Sequence, residues 1–138
     1  MVSTDLKGEG ARQILGAWRY VGATLDGKPR PGRGANAKGM IYYGPHGEMA
    51  CHVAPDRERT KAGVKPTPEE ALNALDEYIG YFGTYSVDES ARTVTHHRLG
   101  SVQPSDMHDL VRNFRVEGDR LILNPPGTTY FVTWERFK

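Results

Sequence analysis

Two adjacent histidines followed by an arginine, His96, His97 and Arg98, lie inside RTVTHHRLGS, residues 92–101. A histidine titrates near neutral pH and moves a proton without a cofactor. An arginine holds a carboxylate or steadies a developing enolate. The stretch reads as a β-strand, on which successive side chains face opposite ways, so only one of the two histidines can face an interior. Val94, His96, Arg98 and Gly100 form one set, and Thr93, Thr95, His97 and Leu99 the other. Val94 and Gly100 favour the first set inward, whereas Leu99 favours the second. With His96 inward, imidazole and guanidinium share one wall roughly 7 Å apart. An inward His96 is then either a proton-transfer group or a core residue bonded to a tyrosine hydroxyl or to backbone.

A second cation stands in DLVRNFRV, residues 109–116, where Leu110, Arg112, Phe114 and Val116 share the inward phase. A cation in an apolar row needs a carboxylate such as Asp88 or Glu89, backbone carbonyls, or an anionic ligand. Tyr85, in GTYSVD, adds a hydroxyl donor, and His96, Arg98, Arg112 and Tyr85 make the candidate catalytic set. Met40 and Tyr42 of KGMIYY, Met49 and Cys51 of EMACHV, Phe114 and Tyr130 are the candidate ligand contacts. Five histidines occur, but neither H-E-x-x-H nor C-x-x-C spacing does. No serine sits in a nucleophile elbow, and GRGANAKG follows no βα unit. Neither a metal nor a cofactor is expected.

These groups must be positioned by short strands. GAWRYVGATL (16–25), KGMIYY (38–43), EMACHV (48–53), GTYSVD (83–88), RTVTHHRLGS (92–101), DLVRNFRV (109–116), RLILN (120–124) and TYFVTWERF (129–137) alternate and are separated by Gly-, Pro- and Asp-rich turns. TPEEALNALDEYIGYF (67–82) reads as one helix: Thr67 is its N-cap, Pro68 opens it, Glu70 completes a capping box, and an apolar stripe runs down it. That stripe is expected to pack on the barrel mouth or wall. Residues 1–14 read as a loose segment with one helical turn near Ala11–Leu15. The loops 26–37 and 54–66 are long and rich in Gly, Pro and charge, and are expected to gate the open end. The fold class is all-β: an eight-stranded antiparallel up-and-down barrel with one helix between its third and fourth strands, forming one domain over residues 1–138.

Eighteen Lys and Arg against seventeen Asp and Glu give no basic footprint for nucleic acid. One cysteine forbids an intrachain disulfide, and no apolar run approaches a membrane span. The N-terminal MVSTDLKGEG lacks the apolar core of a signal peptide, so a cytoplasmic location is expected.

Gly16-x-Trp18 opens the first strand and Trp134-Glu135-Arg136 ends the last. In a closed meander these strands are neighbours, so Arg136 can cover the Trp18 indole, with Gly16 leaving room on the same face. This pairing resembles the structural kernel of lipocalins. More broadly, LGAWRYV, IYYGPHGEM, PDR, TPEEA, YFGTYSVDESARTVTHH, GDRLIL and TWERF resemble the bacterial and fungal lipocalin-like domain family, from Leu15 to the C-terminus. The resemblance implies the barrel and its inserted helix, and a small hydrophobic molecule as partner. The expected function is a cofactor-independent tailoring enzyme (isomerase, cyclase, dehydratase or lyase) acting on a hydrophobic, anionic metabolite, as in secondary metabolism. The alternatives are an intracellular carrier or sensor of a hydrophobic ligand, and a scaffold that dimerises through an outer face.

Overall fold

The structure, a computed structural model, describes residues 6–138. In chain order it comprises α1 (Glu9–Ile14), β1 (Gly16–Leu25), β2 (Lys28–Pro29), β3 (Lys38–Tyr43), β4 (Glu48–Ala54), α2 (Pro68–Leu75), β5 (Ile79–Asp88), β6 (Thr93–Ser101), β7 (Leu110–Glu117), β8 (Arg120–Asn124) and β9 (Tyr130–Arg136). Apart from the two-residue β2, each strand pairs antiparallel with its neighbours in sequence, and β9 returns to β1. Eight strands thus close a ring and no long edge is left open.

Closure is sealed by the pair expected from the sequence. Trp18 faces Arg136 in the β1–β9 register, and the Arg136 guanidinium carbon lies 4.0 Å from the centre of the Trp18 ring. Arg136 Nη1 and Nη2 donate to the carbonyls of Leu15 and Gln13 at 2.8 and 2.9 Å, while Trp18 Nε1 donates to Ile14 O at 2.8 Å. Gly16, at φ 111°, takes the turn from α1 into β1 directly beneath Arg136. Arg136→Ala is expected to lower unfolding free energy by about 1–3 kcal/mol, since it removes a cation–π contact and two charged hydrogen bonds. A denaturation midpoint equal to the parent's would contradict this account of closure.

The N-terminal stretch is less loose than its sequence suggests. Its first five residues lie outside the described region, but α1 plugs the barrel end with Ala11 and Ile14 buried. The Glu89 carboxylate receives the backbone N–H groups of Gly10 and Ala11 at 2.7 and 3.0 Å. The expected turn near Ala11–Leu15 is a helix over Glu9–Ile14, whose start a polar pattern hid because only its inner face is apolar.

The second helix is shorter than its periodicity predicts. α2 has the expected Thr67–Glu70 capping box but stops at Leu75. Glu77 takes a left-handed conformation, and Ile79–Phe82 form the start of β5. The three- and four-residue spacing of Tyr78, Ile79 and Phe82 mimicked a helical stripe, whereas Ile79, Tyr81, Gly83, Tyr85 and Val87 are the inward side of a strand. Nor does α2 bury its apolar residues: Leu72 is 70% exposed. Its last carbonyls are instead held from the preceding loop. Arg57 Nη2 donates to Asn73 O and Asp76 O at 2.5 and 2.7 Å, and Arg59 donates to Ala74 O.

Residues 58–66 are exposed throughout. Trypsin is therefore expected to nick first at Arg59 or Lys61, well before the buried Arg33. First cleavage at Arg33 would contradict the packing of that loop.

Candidate functional site

The interior is filled at the α1 end by Trp18, Tyr43, Val87, Val94 and Leu121. Toward the other end it opens into a cavity of about 290 Å³, the small end of the usual range for ligand pockets. Its apolar wall comes from Ile41, Val53, Leu123, Val132 and Trp134. Its polar groups come from Tyr81 on β5, His96, Arg98 and Ser101 on β6, Arg112 on β7, Tyr20 and Tyr130 on β1 and β9, and Arg33 on the loop after β2.

His96 is 1% exposed, and both its ring nitrogens are bonded. Nε2 lies 2.6 Å from the Tyr43 hydroxyl and Nδ1 lies 2.8 Å from that of Tyr81. Burial, reinforced by Arg112 and Arg98, pushes the imidazole from its ordinary 6.5 down to about 3, so the ring is neutral at physiological pH. The direction of the two hydrogen bonds then follows. The fully buried Tyr43 hydroxyl finds no acceptor among the described residues other than His96, so it donates to Nε2. Nδ1 therefore carries the ring hydrogen and donates to Tyr81 Oη. The hydroxyl hydrogen of Tyr81 is left to point at the neighbouring Cys51 sulfur or into the cavity. Burial holds Tyr43 and Tyr81 well above the usual phenol range and the Cys51 thiol at about 12. Tyr81 is accordingly a neutral donor, and Cys51 is no thiolate nucleophile.

Three guanidiniums border the same space. Arg98 Nε donates to His108 O at 2.9 Å, its side chain stacks 5.5 Å from the Tyr81 ring centre, and its Nη2 is buried without a partner. Among the described residues Arg112 Nη1 donates only to Val111 O, at 3.0 Å. Arg33, 4% exposed, donates through Nη1 to Tyr130 Oη at 3.2 Å and Tyr20 Oη at 3.5 Å, and its Nε is unpaired. Among the described residues no carboxylate pairs with any of the three. The single acid on the cavity lining is Asp106. Glu89, one of the acids expected to neutralise Arg112, is spent on α1. Within the described residues no group of three or more His, Cys, Asp or Glu side chains is arranged to hold a metal ion.

The sequence from residue 15 to residue 137 matches the family model of the lipocalin-like domain. The chain belongs to the lipocalin-like domain family. No curated protein matches it. Among solved structures it is similar to a DUF4847 family protein from Bacteroides vulgatus ATCC 8482, with 13% identity and a TM-score of 0.53, over 95% of this chain and 99% of that one. At that identity the likeness concerns the fold. The lipocalin-like barrel, with its half-enclosed cavity, has the architecture of a small-molecule binder. No helix among the described residues is long and apolar enough to cross a membrane.

Of the residues singled out by sequence, this lipocalin-like barrel brings His96, Arg98, Arg112, Cys51 and Tyr130 around one cavity. His97 points away, with Nε2 2.8 Å from Ser86 Oγ and Nδ1 2.9 Å from Asp109 Oδ2. Five expectations need correction. Met40 and Tyr42 lie on the outer wall, 45% and 37% exposed, because β3 turns Ile41 and Tyr43 inward. Tyr85 is inward but sits at the filled end, donating to Gly44 O at 2.7 Å. Met49 is likewise buried away from the cavity. Phe114 lies under the Arg92 guanidinium at 4.6 Å and against α1. Gly100 also leaves the inward set, because a bulge shifts the β5–β6 register between Phe82 and Gly83 and brings in Ser101 instead.

Tyr81 and Arg33 escaped the sequence reading. The overlong helix swallowed Tyr81, although Tyr81, Gly83 and Tyr85 carry strand alternation. Arg33 lay in a Gly- and Pro-rich loop read as a gate. That loop does reach the mouth and brings Arg33 with it, but residues 54–66 contribute nothing to the cavity lining. The other loop that contributes to the lining is the segment carrying Gln103, Asp106 and His108.

Proposed function

We propose that the barrel encloses a small, largely apolar organic anion and acts on it without a cofactor, by hydrogen-bonding an oxyanion that develops on it. The observation that carries this reading is the convergence of Arg98, Arg112 and Arg33, none with a carboxylate partner among the described residues, on a half-enclosed, largely apolar space. Arg33 is buried and Arg98 and Arg112 are half-buried; cations withdrawn from water without counter-ions are costly, and an anionic ligand offsets that cost. The Tyr43–His96–Tyr81 chain adds directed acid–base capacity. Tyr81 donates to an oxyanion as it forms, and His96 Nδ1–H holds the tyrosine oxygen in place. Enolisation, isomerisation, cyclisation and dehydration all develop such an oxyanion, which the arginines stabilise. Low dielectric inside the barrel strengthens each interaction.

A second reading, a non-catalytic carrier, draws support from one observation. His96 has no free nitrogen, so it cannot act directly as a base unless a tyrosine moves. Native mass spectrometry of the gently purified protein tests the anionic ligand common to both readings. A co-purifying acid that Arg98→Gln and Arg112→Gln deplete supports it, and a neutral molecule retained equally by all three proteins contradicts it. Conversion of that acid by the protein then separates enzyme from carrier.

A further inference from the structure

Arg33 stands apart from the other two cations in the cavity. It comes from a loop rather than a barrel strand, yet it is more buried than many strand residues. Its backbone is fixed: Asp56 N donates to Arg33 O at 2.7 Å, Asn36 N donates to Asp56 Oδ2 at 3.1 Å, and Arg30 pairs with Glu77 at 2.7 Å. Gly34, at φ 89°, lets the chain lie directly on Asp56, where a Cβ would meet that residue's carbonyl. The loop therefore holds a guanidinium inside the barrel by construction.

The wall it occupies matters. Arg33 is bonded to Tyr20 on β1 and Tyr130 on β9. In the closed order β1-β3-β4-β5-β6-β7-β8-β9, β6 is four places from β1 and β5 is four places from β9. Arg98 on β6, stacked on Tyr81 of β5, therefore projects from the opposite wall. Each pole has one unpaired buried N–H, Arg33 Nε and Arg98 Nη2. Ile41, Val53 and Leu123 belong to the walls between them. A ligand with one charged end leaves one of these poles without an anion.

We propose that the ligand carries two anionic groups across an apolar body, one held by Arg33 and the other by Arg98 beside Tyr81, which makes an apolar dicarboxylate the substrate class. This rests on the anion-binding reading above and adds to it a second, separate anion subsite. Arg33 would select for the second charge.

Calorimetric titration at low salt tests it, with straight-chain dicarboxylates from glutarate to suberate, phenylsuccinate, the matching monocarboxylates, and phenyl phosphate. A dicarboxylate of fitting length should bind at least about tenfold tighter than its monocarboxylate, the worth of one charged hydrogen-bonded contact. Arg33→Gln and Arg98→Gln should each remove about that factor for the dicarboxylate, and the double variant should lose their product. A monocarboxylate occupies one pole at a time, so each single variant should weaken it less than the dicarboxylate, because the other pole remains. If Arg33→Gln does not fold, Arg33→Lys keeps the charge without the fork and should still weaken the dicarboxylate selectively. Equal affinity for mono- and dicarboxylates, or an Arg33→Gln variant with unchanged dicarboxylate affinity, overturns the second subsite and leaves the anion pocket standing. Tightest binding of phenyl phosphate with non-additive arginine substitutions overturns it in favour of one multiply charged head. If no acid binds while neutral amides do, both readings fall.

Discussion

Replacing His96 by alanine is expected to cost about 2–4 kcal/mol of stability, because it opens a hole in the interior and leaves the Tyr43 hydroxyl without an acceptor. Given a substrate, turnover should fall by about 10²–10⁴-fold, the range for losing an acid–base relay. His97→Ala should change turnover little, since that ring lies outside the cavity against Ser86 and Asp109. The same residue makes the fold acid-sensitive. In the unfolded chain His96 takes up a proton near pH 6.5, while in the folded barrel it resists until about pH 3. Between those values the unfolded state binds more protons, so stability falls as pH falls, by up to about 1.4 kcal/mol per pH unit for this one group. His96→Gln should flatten that part of the pH–stability curve in chemical denaturation. A curve of unchanged slope would show that His96 is solvated or already charged in the folded state.

The second large effect separates the two tyrosines that flank the imidazole. Tyr81→Phe should lower turnover by about 10²–10³-fold, because it removes a donor to the developing oxyanion, and should cost about 1–3 kcal/mol, because the buried His96 Nδ1–H loses its acceptor. Tyr43→Phe should cost a similar amount, about 1–3 kcal/mol, since His96 Nε2 is then buried without a donor, but it leaves the Tyr81 hydroxyl in place at the cavity. It should also release the ring to its other tautomer, so that Nδ1 competes for the Tyr81 hydrogen. Turnover would then fall less than in Tyr81→Phe and would acquire a different pH profile. Equal losses of turnover in the two variants would argue that the chain acts only as core packing.

Much of this arrangement is legible in the sequence, for identifiable reasons. Strand alternation phases β7 and β6 correctly, because Leu110, Phe114 and Val94 are apolar enough to mark the interior. The G-x-W and W-E-R pair locates barrel closure because a stacked cation needs both partners on adjacent strands. In β3 the signal disappears: Met40, Ile41, Tyr42 and Tyr43 are all apolar or amphipathic, so periodicity carries no direction, and only the β1 and β4 registers turn Ile41 and Tyr43 inward. Tyr85 and Met49 show a different limit. Their inward phase is visible, but their depth is not, because which end of a barrel is plugged depends on α1 and Trp18 packing into it. Arg33 was least legible. Its position in the cavity depends on a loop folded over Asp56 and Glu77, and neither composition nor period records such contacts.

The claim at the centre of this account, that the cavity is built for an organic anion, is most directly tested through Trp134. Of the two tryptophans, Trp134 lines the cavity, while Trp18 lies sealed beneath Arg136. Its fluorescence should change saturably when phenylacetate is added at low salt. Phenylacetamide, of nearly the same shape but uncharged, should bind at least about tenfold more weakly, and that preference should shrink in Arg98→Gln. Equal affinity for acid and amide, or a preference untouched by Arg98→Gln, would contradict the account.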